Sequence, residues 1–361
     1  MLKQTRLIIA GGFLGAGKTT LLWEVARRLT AQGLRVGLIT NDQASELVDS
    51  AWLKQAHLKV AEVSGSCFCC NFNAFVDAIR TLRADEQADV ILAEPVGSCA
   101  DLMATIVRPM KIFHNTEVVV LPLTVLSDPL RLESILYGGN GGLHDDAAYI
   151  YRKQLEESEV ILITKTDLLS DEKLQKLIKD TKTVFHDSKV MAASVLNGTG
   201  LKEWFGEISG SWSKGMKVLD INYDRYAHGE AVLGWLNGTV ALTCENARWD
   251  ALLKNIMDGF VTAIESENLG VGHIKVIVES GSQCAVGNLV GAASTLQLRG
   301  TAGTGNSAKL IVNARVETSP RHLDEIVKAV LANAFNSQYK DEILAWKCLM
   351  PGRPSPTYRM L

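Results

Sequence analysis

The sequence has no apolar run near the ~20 residues that a bilayer-spanning helix needs. Its longest, Val118 to Leu126, is broken by Pro122 and Thr124 and reads as a buried strand. It also carries little net charge: 37 Lys and Arg stand against 40 Asp and Glu, a formal charge of −3. So small an imbalance argues against a broad nucleic-acid-binding face. No signal-peptide pattern opens the chain, because Met1-Leu2-Lys3-Gln4-Thr5-Arg6 leads at once into a strand pattern. No membrane partner and a cytoplasmic location are therefore expected. Internal repeats and long low-complexity segments are missing too, and a 47% hydrophobic content excludes wholesale disorder.

What the chain does have is length and cysteine. Single cores stop growing beyond about 250–300 residues, so 361 residues predict two domains. A cytoplasmic chain of this size does not need disulfides, so clustered cysteines point to metal or redox chemistry. Of seven cysteines, Cys67, Cys69 and Cys70 fall within four residues.

Over the first ~200 residues short apolar runs alternate with helical patterns. Arg6 to Ala10, Val36 to Asn41, Leu58 to Val63, Asp89 to Ala93, Glu117 to Val125 and Glu159 to Thr164 read as strands. Thr20 to Gln32 reads as a helix capped by Gly33. The alternation predicts a mostly parallel sheet covered on both faces, with ligands at the carboxyl ends of its strands. Gly138-Gly139-Asn140-Gly141-Gly142 reads as a mobile loop, and Ser209 to Gly215 as a linker. Beyond it the rhythm changes. Ala231 to Cys244 reads as a strand or hairpin with Asn237-Gly238 as its turn. Arg248 to Glu265 reads as a helix capped by Asn246. His273 to Glu279, Leu289 to Leu298 and Lys309 to Val316 read as strands, and a helix opens at Ser319-Pro320. This order predicts a ferredoxin-like α+β sandwich with Trp235, Trp249 and Trp346 in its core.

Gly12-Phe13-Leu14-Gly15-Ala16-Gly17-Lys18-Thr19 fits G-x-x-x-x-G-K-[ST] between a predicted strand and a predicted helix. Its glycines let successive N–H groups, with Ala16 and Thr20 alongside, face a β-phosphate. Lys18 then reaches the β- and γ-phosphates, and the Thr19 hydroxyl ligates Mg²⁺. Glu94, at the end of its strand in Glu94-Pro95-Val96-Gly97, is placed to hold the Mg²⁺ shell or position the attacking water. Asp42 is the candidate for a second Mg²⁺-shell carboxylate that moves with nucleotide state. Thr164-Lys165-Thr166-Asp167 follows a strand; the Asp167 carboxylate accepts from guanine N1–H and its N2 amine, and the Lys165 stem packs along the base. Adenine offers no such donor pair, so GTP is favoured over ATP. A backbone N–H at Ala193-Ser194 is placed to meet guanine O6.

The Cys67, Cys69, Cys70 triplet cannot easily close a relaxed disulfide on itself. It can supply two or three thiolates to Zn²⁺ or Co²⁺, leaving a position for water, a histidine or a thiolate of a receiving protein. Packing cysteines and a redox sensor are the alternatives. Cys99, Cys244, Cys284 and Cys348 read as packing, His144 as part of a solvated loop and His273 as a satisfied histidine.

Together, Gly12 to Leu22, Cys67-Phe68-Cys69-Cys70, Glu94-Pro95-Val96-Gly97 and Thr164-Lys165-Thr166-Asp167 resemble the CobW family of GTPases in order and spacing, from about Thr5 to Phe205. The resemblance implies a SIMIBI-class P-loop GTPase linked to metal delivery or cobalamin metabolism. It implies that Lys18 and Thr19 hold phosphate and Mg²⁺, that Glu94 is the Walker B glutamate, that Lys165 and Asp167 bind guanine, and that the three cysteines bind metal. The chain departs from the family pattern at Ser66, Phe68 and Asn41-Asp42-Gln43-Ala44, the last looking more like HypB and UreG relatives. No His-rich tract follows, which marks a divergent branch.

The expected fold is α/β, a P-loop NTPase with a mostly parallel sheet over 1–208, a linker at 209–220, and a smaller C-terminal α+β domain over 221–361 for client recognition. The expected function is a slow GTPase, since no arginine finger or Gln-type water positioner is visible. It couples nucleotide state to Zn²⁺ or Co²⁺ held by Cys67, Cys69 and Cys70, and delivers the metal to a metallo- or corrinoid client. A homodimer is compatible with the class. A GTP-dependent interaction chaperone with structural cysteines is the first rival, and a small-molecule kinase the second.

Overall fold

A computed structural model describes residues 4–42, 59–64, 67–210, 217–291 and 296–361, with the backbone alone at 42 and 64. Gln43-Ala44, Ser66 and residues 211–216 of the expected linker lie outside the described residues.

The first sheet contains β1 (Thr5–Gly12), β2 (Val36–Asp42), β3 (Lys59–Ser64), β4 (Val90–Glu94), β5 (Val118–Val120), β6 (Thr124–Ser127), β7 (Val160–Ile163) and β8 (Lys189–Ala192). Its order is β3-β2-β4-β1-β6-β7-β8, with β5 also on β1, and every pair is parallel. Both faces are buried, as the alternating apolar runs require. Leu7 and Ile9 of β1 enter one core, Ile8 and Ala10 the other. Each buried Leu or Ile here stabilises the fold by roughly 1.5–3 kcal/mol. The strand expected over Glu117 to Val125 is two strands. Val118 pairs with Thr5 and Thr124 with Ala10, so β5 and β6 continue one line along β1. Pro122 lies between them and has no N–H for the ladder.

Helices cover the sheet: α1 (Lys18–Ala31), α2 (Phe72–Ala84), α3 (Arg108–Phe113), α4 (Pro129–Leu136), α5 (Asp145–Glu157), α6 (Asp171–Val184), α7 (Leu201–Ile208) and α8 (Tyr223–Ala231). Gly33, at φ 82°, donates to the Thr30 carbonyl at 2.9 Å and ends α1 as expected. The glycine loop after α4 folds back on it, with Gly139 N–H on the Ser134 carbonyl at 2.8 Å.

The second sheet is antiparallel: β9 (Leu233–Arg248), β10 (Val271–Ser280), β11 (Gln283–Leu289), β12 (Gln297–Thr301), β13 (Thr304–Glu317) and β14 (Lys340–Leu349). Helices α9 (Trp249–Glu267) and α10 (Pro320–Phe335) pack on it. The strand order is β12-β11-β10-β13-β9-β14. Without the β11–β12 hairpin, the remainder is the β-α-β-β-α-β arrangement of a ferredoxin-like unit.

Four local expectations are corrected. Asn237-Gly238 is no turn, because the two residues pair with Asn313 and Val312 inside the continuous strand β9. The strand expected over Leu289 to Leu298 ends at Leu289, and β12 starts at Gln297. Asn246 does not cap α9; it takes a left-handed φ of 52°, and Arg248 occupies the cap position. Trp235 belongs to the core of the first sheet, while Trp249 and Trp346 pack with the second.

The irregular tail after β14 returns to the first sheet. Thr357 N–H donates to the Cys69 carbonyl at 2.8 Å, and Met360 N–H to the Ala104 carbonyl at 2.9 Å. Among the described residues no helix is long and apolar enough to cross a membrane.

Candidate nucleotide and metal site

The carboxyl ends of β1, β2, β4 and β7 open into a cleft of about 200 Å³. Gly15, Gly17, Lys18, Thr19 and Thr20 line one side of it, Glu94 the middle, and Thr164, Lys165 and Asp167 one end. The sequence motifs thus converge on one cavity. Lys18 Nζ donates to the Gly12 and Phe13 carbonyls at 2.9 and 3.4 Å. Thr19 Oγ1 donates to Glu94 Oε1 at 2.9 Å, which brings the two expected Mg²⁺ ligands together. Asp42 ends β2 opposite Ser64 of β3, and its side chain lies outside the described residues.

A nucleotide and Mg²⁺ fit these residues. Thr40 Oγ1 is buried in the cleft wall and, among the described residues, has no hydrogen-bond partner. A Cβ on Gly97 would stand 3.1 Å from Lys18 Nζ and 3.0 Å from Leu14 N, so only glycine leaves that space open.

At the base end, Lys165 has a left-handed φ of 52° and its Nζ pairs with Asp128 at 2.9 Å. The Ser194 hydroxyl donates to Asp167 and so orients that carboxylate. The Ser194 N–H is already given to the Thr199 carbonyl at 3.0 Å, so it is not the donor expected for guanine O6. The Ser194 atom that meets Asp167 is its hydroxyl oxygen.

The other wall of the cleft comes from the second sheet, through His273, Lys275, Arg299 and Arg315. Sequence reasoning did not find this wall, because no local pattern relates β10 or β12 to the phosphate loop. Burial and the charges of Arg315, Lys275, Lys18 and Arg131 hold the His273 imidazole well below its ordinary pKa, so it is neutral. Contact between the sheets is close: a Cβ on Gly15, which has φ +79°, would fall 2.5 Å from a Val290 methyl. Arg131 of α4 spans the junction, donating to the Leu14 carbonyl at 2.8 Å and the Gly272 carbonyl at 3.2 Å.

The cysteine loop lies behind this cleft. Asn41, at the cleft wall, donates from Nδ2 to the Val63 carbonyl at 2.8 Å and accepts at Oδ1 from Phe68 N–H at 2.8 Å. One side chain therefore joins the end of β2, the end of β3 and the cysteine loop. Cys67 and Cys69 are buried, with their sulfurs 2.9 Å apart; Cys70 Sγ is 3.9 Å from Cys69 Sγ. Cys99 joins them: the sulfurs of Cys67, Cys69 and Cys99 all lie within 4.8 Å of one another. Hydrogen bonds from Cys69, Cys70 and Cys99 hold the Cys67 thiol far below its ordinary pKa. The bond to Cys67 raises Cys69 and Cys99 and pushes Cys70 up to about 11. No disulfide joins any of the seven cysteines, and Cys284 packs on Ile277 and Ile311 while it also lines the nucleotide cleft.

His144 is not a free loop residue. Its Nδ1 accepts from Asp146 N–H at 3.1 Å and caps α5. It lies by Asp146 and His228, whose ring bonds that carboxylate at 2.7 Å, away from the cysteines.

Comparison with known proteins follows the same residues. The family described as CobW/HypB/UreG, nucleotide-binding domain, matches residues 6–192. The chain is 24% identical over 201 residues to zinc-regulated GTPase metalloprotein activator 1 of Dictyostelium discoideum, covering 47% of this chain and 41% of that protein. It is 25% identical over 203 residues to zinc chaperone CobW of Pseudomonas aeruginosa, covering 49% and 52%. The chain spans about half the length of the curated relatives it matches. Among solved structures, Zn(II)-bound YjiA GTPase from E. coli is 14% identical over 92% of this chain and 99% of that one, with a TM-score of 0.39. The family match covers more than half of the 361 residues, and with the phosphate loop and the strand-end glutamate in one cleft and the cysteine loop behind it, the chain belongs to the CobW/HypB/UreG family.

Proposed function

We propose that the chain is a GTP-hydrolysing metallochaperone whose nucleotide state sets the grip of its cysteine loop on Zn²⁺ or Co²⁺. The observation that carries this reading is Asn41, which lines the nucleotide cleft and holds Phe68 N–H between Cys67 and Cys69. Asp167 selects guanine, steadied by Ser194. Lys18 exchanges its carbonyl partners for the phosphates. Thr19, Glu94 and Asp42 would hold Mg²⁺, which neutralises charge on the phosphate oxygens. Glu94 also orients the attacking water. Hydrolysis is slow without a partner. When GTP binds, the ends of β2 and β3 draw toward the phosphates and close the cysteine loop on the metal; hydrolysis relaxes it.

The domain division at 209–220 belongs to the same reading. The first unit binds nucleotide and metal; the second closes the cleft and recognises the client, a metallo- or corrinoid protein. A cytoplasmic location and free thiols agree with each other. The test is metal stoichiometry. With GTP and Mg²⁺ the protein should take up one Zn²⁺ or Co²⁺ per chain, and Cys69→Ser should abolish uptake.

A second reading has one observation in its favour. Cys67 and Cys69 are 8% and 2% exposed within an apolar core, where cysteines also serve as small packing residues. The protein would then be a GTP-dependent interaction chaperone with structural thiols. No metal uptake, and a Cys69→Ser protein that differs only in stability, would decide for it.

A further inference from the structure

We propose that Cys99 is a ligand of the cargo metal and the residue through which the nucleotide acts on it. This rests on the metallochaperone reading and names a ligand from outside the cysteine triplet.

Cys99 lies 30 residues beyond the triplet's second cysteine, yet its sulfur shares one 4.8 Å cluster with those of Cys67 and Cys69. It is 2% exposed. Thiolates bound at about 2.3 Å around a tetrahedral ion stand about 3.8 Å apart, so small shifts would seat one metal among these three sulfurs. Cys70, with its Sγ 3.9 Å from Cys69 Sγ, stands at the edge of this cluster. Its sulfur accepts from Ser355 N–H of the tail at 3.2 Å and is half-exposed. The inner triad is therefore Cys67, Cys69 and Cys99. Cys70 stands at the outer rim, where an acceptor's ligand would first meet the metal.

The loop that carries Cys99 also borders the phosphates. It begins at Glu94, bonded to Thr19. Gly97 backs onto Lys18 Nζ and Leu14 N so closely that a side chain would touch both. Two residues later comes Cys99, whose N–H closes a turn on the Val96 carbonyl at 3.0 Å. The buried Gln154 amide holds the Gly97 carbonyl at 2.9 Å and the Cys99 carbonyl at 2.7 Å, so the two move as one piece. Past it, Asp101 adopts φ 67° and is pinned by Arg359 at 2.7 Å and Tyr223 at 2.8 Å. A displacement at Gly97 on arrival of the γ-phosphate thus reaches Cys99 through two peptide units. By reciprocity, bound metal raises affinity for the nucleotide that favours it.

The probe is Co²⁺ alone, titrated into the full chain with GDP or a non-hydrolysable GTP analogue. Thiolate-to-Co²⁺ absorption counts the sulfurs. Cys99→Ser should lose about one third of that absorption and bind Co²⁺ at least about tenfold more weakly. Its affinities with the two nucleotides should become equal, with GTP binding retained. Cys70→Ser, at a half-exposed site, should keep three sulfurs by X-ray absorption. Wild-type absorption and affinity in Cys99→Ser, or two sulfurs in Cys70→Ser, would overturn the proposal. Unchanged Co²⁺ binding in Cys69→Ser, or none in the wild type, would instead remove the metallochaperone reading beneath it.

Discussion

At the residue scale, chemistry is concentrated in side chains whose surroundings fix their charge. Asp167 accepts the Ser194 hydroxyl and so presents its carboxylate to the base end of the cleft. Asp167→Asn should weaken GTP binding by about 1.5–3 kcal/mol and lower the GTP-to-ATP preference, as measured by nucleotide titration. Glu230 of α8 is a different case. Burial pushes its carboxyl up to about 8, and its Oε1 accepts from the Ser98 hydroxyl. Unfolded, it titrates near 4.5, so the folded protein binds the extra proton between these values. Its contribution to stability is present below pH 4.5 and is lost as pH rises toward about 8. Glu230→Gln should therefore gain stability over wild type progressively across that window, read as the difference in Tm against pH. The phosphate-loop residues were legible because a phosphate needs a curled backbone, a lysine and a hydroxyl at fixed spacing. Cys99 and Glu230 were not. Their significance comes from distant neighbours, and a lone cysteine or glutamate carries no periodic signal.

At the element scale, the parallel strands were legible from apolar runs of four to eight residues between helical patterns. Pro122 was visible as a break, but that both halves stay on β1 depends on register, which no local pattern encodes. Asn237-Gly238 misled for a related reason. Its turn propensity is overridden by pairing on both sides, with β13 and with β14. Helix α4 matters through one residue. Arg131 is buried, and burial lowers its pKa, yet it satisfies carbonyls of the phosphate loop and of β10. Arg131→Ala should leave those carbonyls unpaired and cost about 2–4 kcal/mol in urea unfolding. It should also raise the Kd for GTP, because the Leu14 carbonyl belongs to the phosphate loop.

At the scale of the whole molecule, the second sheet and the tail complete sites that the first sheet begins. His273, Lys275 and Arg315 face the phosphate loop across the cleft, and the tail lies along the cysteine loop. Tyr358 packs on Phe72 with ring centroids 5.2 Å apart, and Arg359 holds Asp101. Removing Thr357 to Leu361 should expose Cys69 and Cys70 and speed their reaction with a small thiol-reactive probe severalfold. An unchanged rate would show that the tail does not guard them. None of this was legible from the tail itself, whose prolines mark it only as irregular. The central claim is that the nucleotide controls the metal. Its most direct measurement is the Kd for Co²⁺ in the full chain with Mg²⁺ and either GDP or a non-hydrolysable GTP analogue. The account predicts binding tighter by about tenfold with the GTP analogue; equal affinity in the two states would contradict it.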